Sequence, residues 1–164
     1  MIVQTTRFGK IEVEENSIIT MPNGLLGFSG ARLYTLLDDE IGSPFKWLQS
    51  LDNETLAFVT IDPKVVVSDY KIAISEEHLK KLHASSVEEL SVMTIVTMTR
   101  DIKDVTVNLQ GPLVVNHDKR FGMQLVIADG QFSTRHPLFG DKLHLDSETS
   151  EVTSTDDMRQ AVAG

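Results

Sequence analysis

The chain has 164 residues, a formal net charge of −9 and a composition that is 41% hydrophobic and 24% charged. That balance supports one globular domain with a hydrophobic core and excludes a chain that is disordered throughout. The sequence contains no cysteine, which excludes disulfides, thiolate metal sites and a cysteine nucleophile, and it lacks the clustered Lys and Arg that dominate direct nucleic-acid binding.

The N-terminal residues 1–7 lack the basic region, apolar stretch and small-residue cleavage site of a signal peptide. Nowhere does an apolar run approach the roughly 20 residues that a membrane-spanning helix needs. We therefore expect a cytoplasmic protein without a membrane segment.

Short runs of alternating or β-branched residues recur along the chain, and turn-forming residues separate them. These runs lie at 10–14, 17–20, 45–48, 56–61, 70–74, 92–98 and 122–127. The runs at 45–48 and 56–61 flank Asp52-Asn53, which predicts a hairpin between them. The second of the two is almost continuously apolar, so we expect a central strand that is covered on both faces.

A single clear helix is predicted after Ser75. This serine is a good N-cap, Glu76-Glu77 place negative charge in the first turn, and Lys80-Lys81 place positive charge near the end. Residues 86–89 match a capping box and predict a second short turn.

The segment 105–116 predicts two short strands separated by a tight break at Gly111-Pro112. Period-2 alternation places Val107 and Leu109 inward and the carboxamides of Asn108 and Gln110 outward. Each carboxamide both donates and accepts hydrogen bonds but is not an acid or a base. The pattern therefore favours recognition of a partner's backbone over bond-breaking chemistry. We also assign Phe45, Trp47 and Phe58 to the core.

Two loops combine apolar and turn-forming residues. The loop 21–28 either folds over one end of the fold or presents Phe28 as an exposed anchor for a partner. The segment 134–139 either forms a closing strand or presents Arg135, whose planar fork of donors suits interfaces. Pro137 biases His136 toward an extended conformation.

Roughly ten β segments and one or two short helices predict an all-β fold, mainly β, in a small antiparallel β-barrel-like domain over residues 1–140. Residues 141–164 form an acidic C-terminal tail that contains few large apolar side chains. Because such a tail buries too little surface to offset its ordering entropy, we expect it to be mobile from about residue 145.

No catalytic, cofactor-binding or metal-binding residue is predicted. The chain lacks the sequence signatures of the common nucleotide-binding, hydrolase and metalloprotease sites. His78 and His83 are five residues apart, so they do not share a helix face as a pair of metal ligands does. Asp52 and Asp62 are conceivable hydrolytic groups, but carboxylates at turns are usually turn formers.

Five segments in order along the chain carry a resemblance to a known family. They are 22–28 (PNGLLGF), 45–52 (FKWLQSLD), 56–63 (LAFVTIDP), 108–116 (NLQGPLVVN) and 135–138 (RHPL). Together they resemble the flagellar assembly factor FliW family over about residues 2–140. The acidic tail falls outside the resemblance.

The resemblance implies a bacterial, non-enzymatic protein with two protein partners. Members of this family bind the carbon storage regulator CsrA, a dimeric RNA-binding protein that represses translation of flagellin mRNA, and they also bind flagellin. The partners compete, so flagellin that accumulates releases the regulator to silence the message. We expect the chain to be monomeric when free, and to bind neither nucleic acid nor a membrane directly.

The predicted partner-binding residues are Asn108, Gln110, Asn116, Arg135 and His136, with Phe28 and Gln49 as secondary candidates. Two other classes of function stay open at this point. One is a small β-fold hydrolase that uses Asp52, Asp62 or His136, which requires these groups to converge in a pocket. The other is an OB-like nucleic-acid binder, which requires exposed aromatic residues interleaved with basic ones.

Overall fold

The computed structural model of the protein describes residues 1–139. The predicted acidic tail at 141–164 lies outside the described residues, and the division of the chain at residue 140 stays a prediction. Within the described part, no helix is long and apolar enough to cross a membrane.

The described chain contains eleven short strands and two short helices. The strands are β1 (Ile2–Thr5), β2 (Gly9–Glu12), β3 (Ile19–Thr20), β4 (Leu33–Asp38), β5 (Phe45–Ser50), β6 (Ala57–Ile61), β7 (Leu90–Thr97), β8 (Thr106–Val107), β9 (Leu113–Asn116), β10 (Phe121–Gln124) and β11 (His136–Pro137). The helices are α1 (Pro63–Val66) and α2 (Glu76–Lys81), and 3-10 turns occupy Glu15–Ser17, Val87–Glu89 and Ile102–Asp104.

The sheet topology confirms the predicted mainly β, barrel-like fold. β1 and β2 form a separate antiparallel hairpin, and the other nine strands follow the order β11-β8-β7-β6-β5-β4-β3-β10-β9. An additional pairing of β7 with β9 curls this sheet back on itself, so seven strands from β7 to β9 form a closed ring. The pairings are antiparallel except for one parallel bridge, between Phe121 of β10 and Thr20 of β3.

Two hydrophobic clusters occupy opposite faces of the curled sheet, because successive side chains of a strand point to opposite sides. One cluster receives side chains from six of the ring strands, including Tyr34 of β4, Leu48 of β5 and Leu113 of β9, and it fills the ring. The other lies on the outer face, where Val92 and Val114 pack against the segment 70–82.

Several sequence predictions are confirmed. The hairpin of β5 and β6 turns at Asp52-Asn53, and β6 contributes to both clusters, as a strand covered on both faces should. Helix α2 begins after Ser75, although His78 rather than an acidic residue completes its capping box. Val107 and Leu109 are fully buried.

Other predictions need correction. The alternating run at 70–74 is not one of the strands: its apolar side chains pack onto the outer cluster, and a single β-bridge at Ala73 does not extend into a strand. Helix α1 was not predicted, yet its signals are local: Asp62 accepts a hydrogen bond from the Lys64 backbone, and proline is tolerated in the first turn. Phe45, Trp47 and Phe58 are only partly buried against the two clusters.

The capping box of α2 predicts a pH dependence of stability. The Nδ1 atom of His78 accepts a hydrogen bond from the Ser75 backbone N–H at 3.1 Å, which only the neutral imidazole can do. Burial lowers the pKa of His78 below its usual 6.5, the nearby Glu77 carboxylate opposes that shift and Lys81 reinforces it. The hydrogen bond to His78 therefore stabilises the fold fully above pH 6.5. This stabilisation is lost as the pH falls through the lower pKa that His78 has in the folded state.

The expected result is a fall in thermal stability below pH 6.5 that is absent in His78→Gln, whose amide oxygen accepts the same bond without titrating. Melting temperatures measured over a pH series for both proteins provide the comparison. Parallel curves for the two proteins would contradict the role assigned to His78.

Candidate protein-interaction surface

One end of the strand ring carries most of the features that suit contact with another protein. Strands β3, β5, β7 and β10 end there, and β4, β6 and β9 begin there. We call this end the apical surface and define it by the loop 22–30, the turn 51–56 and the segment 123–126. Four of the nine exposed large apolar side chains among the described residues lie on or next to it, namely Leu26, Phe28, Val126 and, directly after β7, Met98.

The loop 22–30 both closes the ring and exposes apolar groups. Gly24 adopts a φ of +63°, and the Phe28 backbone N–H donates to the Leu25 carbonyl at 2.7 Å, so the loop forms a tight turn. Leu25 is buried in the inner cluster, whereas Phe28 is 42% exposed and stands edge-on to Phe58 with ring centroids 5.3 Å apart. The loop therefore folds over one end of the ring and also exposes Phe28, whose role as an anchor for a partner stays a prediction.

Gln124 joins this loop to the break between β8 and β9. Its Oε1 accepts a hydrogen bond from the Leu26 backbone at 2.9 Å, and its Nε2 donates to the Gly111 carbonyl at 3.0 Å. The sequence interpretation missed Gln124, because an isolated glutamine in a strand carries no local signal and both of its partners are distant in sequence.

Asn108 and Gln110 lie next to this junction, and both are half-buried. Asn108 Oδ1 accepts from the backbone N–H groups of Gln110 and Gly111 at 3.1 and 2.9 Å, which forms the turn before β9. Gln110 Nε2 donates to the Ile127 carbonyl at 3.2 Å. Each carboxamide thus has a role in the fold, and its role in binding a partner stays a prediction.

The turn 51–56 forms the other wall of the apical surface. Ser50 Oγ accepts hydrogen bonds from the backbone N–H groups of Asp52 and Asn53, at 3.1 and 3.0 Å. Asp52 Oδ2 accepts from the backbone N–H groups of Arg32 and Leu33 at 2.6 and 2.9 Å, so this carboxylate ties the turn to the start of β4. These hydrogen bonds support the interpretation of Asp52 as a turn former.

Gln49 lies beneath that turn with no exposed surface. Its Nε2 donates to the carbonyls of Ser50 and Leu56 at 2.9 and 3.2 Å, which leaves it unable to touch a partner in this conformation. Its Oε1 has no hydrogen-bond partner among the described residues.

Asn116 is the predicted site residue that lies farthest from the apical surface, at the opposite end of β9, and it is fully buried. Its Nδ2 donates to the carbonyls of Leu82 and His83 at 2.9 and 3.1 Å. Its Oδ1 accepts from the backbone N–H groups of Asp118 and Lys119 at 3.0 and 3.1 Å. With all four hydrogen-bonding positions used internally, Asn116 is not available for direct contact with a partner.

Arg135 and His136 lie at the edge strand beside β8. His136 pairs with Val107 across β8 and β11, and the Ser133 carbonyl accepts from the Leu109 backbone at 3.0 Å. Arg135 is exposed, with its backbone N–H donating to Ser133 Oγ at 2.9 Å. The structure thus brings Arg135 and His136 close to β8 and to Asn108, which directly follows it.

The groups considered for hydrolysis do not converge. Asp62 caps α1 at the end of β6, which is opposite to the apical end where Asp52 lies. His136 lies on the edge strand β11. Among residues 1–139, no group of three or more His, Cys, Asp or Glu side chains is arranged to hold a metal ion.

An OB-like nucleic-acid binder requires exposed aromatic residues interleaved with basic ones, and the described residues offer little of this arrangement. Within the described chain, the cation–aromatic stack is that of Arg7 over Trp47 at 4.6 Å, with Phe8 edge-on to the same ring at 5.5 Å. One such stack on the outer face does not form a platform for successive bases.

The chain matches the family model described as FliW protein over residues 2–138. It is 44% identical over 143 residues to the flagellar assembly factor FliW of Natranaerobius thermophilus, covering 87% of this chain and 95% of that protein. It is also 44% identical over 139 residues to the flagellar assembly factor FliW of Geobacter sulfurreducens, covering 85% of this chain and 87% of that protein. A crystal structure of the flagellar assembly factor FliW matches with a TM-score of 0.78 at 31% identity, covering 85% of this chain and 97% of that one.

Proposed function

Because this chain belongs to the FliW family of flagellar assembly factors, we propose that it is a non-enzymatic antagonist of the translational regulator CsrA. In this proposal it binds CsrA in the cytoplasm and relieves repression of flagellin mRNA. It also binds flagellin, and flagellin that accumulates displaces the regulator. Translation of flagellin is thereby matched to its removal from the cytoplasm.

The observation that carries the proposal is the extent of the family match, which spans residues 2–138 and so includes the whole apical surface. Exposed apolar side chains that cluster on one face are typical of protein-interaction sites. The exposed Leu26 and Phe28 on a rigid turn supply such anchors.

Electrostatics supports the same kind of partner. The described residues 1–139 contain 18 acidic and 13 basic side chains, which gives them a net charge of −5. A regulator that binds RNA must present a basic face, and opposite charges accelerate the encounter of two proteins more than they raise affinity. We therefore expect the association rate with the regulator to fall steeply with ionic strength.

A gel-shift experiment tests the proposal against direct RNA binding. The purified chain alone should not shift the flagellin mRNA leader, but it should release RNA that is already bound to the regulator. A shift by the chain alone would favour the nucleic-acid-binding alternative. Regulator–RNA complexes that persist at saturating chain would refute the antagonist role.

A further inference from the structure

The apical surface contains a broad depression of about 540 Å³ that no part of the fold described above fills. Phe28, Ala31 and Leu56 form its apolar lining, and Asp52, Asn53 and Glu54 form its polar wall. The cavity is large enough to admit a side chain together with a stretch of the backbone that carries it. Its mixed lining suits a ligand that has both a flat or aliphatic part and a polar end.

The polar wall presents two carboxylates that the chain itself does not neutralise. Neither Asp52 nor Glu54 takes part in a salt bridge among the described residues. Asp52 Oδ2 is occupied by the two backbone N–H groups at the start of β4, whereas its Oδ1 and both Glu54 side-chain oxygens accept no hydrogen bond within residues 1–139. The guanidinium of Arg32, whose backbone N–H bonds Asp52, donates from its Nε to the Ser29 carbonyl at 3.5 Å instead.

The backbone that carries these carboxylates is held in place before any ligand arrives. Asn53 Oδ1 accepts from the Thr55 backbone N–H at 3.0 Å, and the Glu54 carbonyl accepts from the Thr6 backbone N–H at 3.0 Å. The turn 51–56 is therefore fixed from both sides, and little conformational entropy is lost when a partner binds.

A buried hydroxyl lies close to the same wall. The Tyr34 side chain has no exposed surface, and its Oη has no hydrogen-bond partner among the described residues. Its ring lies 6.5 Å from that of Phe58, which contacts Phe28 on the rim. Burial, helped by the negative charge of Asp52, raises the pKa of Tyr34 to about 12, so the hydroxyl stays protonated and uncharged.

We propose that this depression is a docking site for an arginine side chain of a polypeptide partner, with the guanidinium between the Phe28 ring and the carboxylates of Asp52 and Glu54. Arginine fits better than lysine because its planar guanidinium stacks on an aromatic ring and donates in a fork that matches carboxylate oxygens. The inference deepens the proposed function in one respect, since it takes the ligand to belong to a protein partner.

The test begins with a probe that does not depend on any partner. Backbone amide shifts of the isotope-labelled full chain are followed by NMR during titration with N-acetyl-arginine methylamide, and separately with the citrulline analogue, which has the same shape but no charge. We expect saturable shifts at Phe28, Asn53 and Leu56, and an affinity for the arginine compound higher by about fivefold, the upper range for an exposed ion pair.

The variant Asp52→Asn/Glu54→Gln should remove the preference for arginine over citrulline without unfolding the chain. The asparagine oxygen still accepts the bonds from Arg32 and Leu33, and the Glu54 side chain makes no hydrogen bond within the described residues. Glu88→Gln removes one exposed charge elsewhere and should leave the preference unchanged. Equal affinities for the two compounds in the wild type, or shifts that map to another face, would overturn the proposal.

The second arm measures binding of the regulator and of flagellin to the same variants. Weaker binding of at least one partner to the double variant, but not to Glu88→Gln, would support the docking site. Unchanged binding of both partners would overturn it. If the wild type binds neither partner, the proposed function fails, while the arginine titration still decides whether the depression is selective for a guanidinium.

Discussion

Replacement of Asn116 by alanine is expected to lower the free energy of unfolding by about 3–5 kcal/mol, a large share of the stability of a domain of this size. Asn116 is fully buried and makes four hydrogen bonds, which join the end of β9 to Leu82 and His83 after α2 and to the turn at Asp118 and Lys119. Its loss strands the buried Leu82 carbonyl, at a cost of about 1–3 kcal/mol, and removes three partly buried bonds worth about 0.5–1.5 kcal/mol each.

The measurement is urea unfolding followed by the fluorescence of Trp47, which is the single tryptophan of the chain. Asn108→Ala is the matched comparison, because Asn108 has the same side chain but is only half-buried and makes two hydrogen bonds through one oxygen. We expect Asn108→Ala to lower the free energy of unfolding by less than half as much as Asn116→Ala does. Equal midpoints for the two variants would contradict the structural role of Asn116.

Gly24→Ala is expected to cost about 2–4 kcal/mol and to displace the loop 22–30. An added Cβ would lie 2.5 Å from the Phe28 carbonyl oxygen and 2.7 Å from the Ser29 Cα, and both are backbone atoms that cannot rotate away. The φ of +63° at Gly24 adds the strain of a left-handed conformation. Because the loop carries Phe28, this variant should also impair the apical surface.

Substitutions at two neighbouring glycines distinguish the clash of the added Cβ from the strain of the positive φ. Gly27 has a φ of +87° with nothing within 4 Å of an added Cβ, so Gly27→Ala should show only the conformational cost of about 1–2 kcal/mol. Gly30 has neither a positive φ nor a close neighbour, so Gly30→Ala should be nearly neutral. Denaturant midpoints in the order Gly30→Ala, Gly27→Ala, Gly24→Ala, from most to least stable, are expected. A Gly24→Ala protein as stable as Gly30→Ala would refute the clash.

The sequence predicted those parts of the fold whose signals are local. The alternation around Val107 and Leu109 correctly predicted that both are buried, and the N-cap at Ser75 correctly predicted where α2 begins. Each of these features depends on neighbours within a few residues. The same alternation at 70–74 predicted a strand that is absent there, because an extended segment buries every second side chain whether or not a neighbouring strand pairs with it. The closure of the ring between β7 and β9 depends on partners 20 to 26 residues apart and has no local signature.

The residues of the candidate site likewise divide into those with a local sequence signal and those whose role depends on contacts distant in sequence. The carboxamides of Gln49 and Asn116 read as polar groups available to a partner, but backbone carbonyls from the hairpin turn and from the end of α2 use them inside the fold. Their place in family-like motifs therefore reflects the fold. Phe28 is exposed as an anchor should be, whereas the wall formed by Asp52 and Glu54 emerges only when the turn 51–56 meets the loop 22–30.

The most direct test of the account is a competition between the two proposed partners for the intact chain. Flagellin is titrated into a preformed complex of the chain with the regulator, and the complex is followed by size-exclusion chromatography with light scattering. We predict that flagellin releases the regulator stoichiometrically and that no assembly of all three proteins forms. A stable ternary assembly, or a chain that binds neither protein at micromolar concentration, would contradict the account.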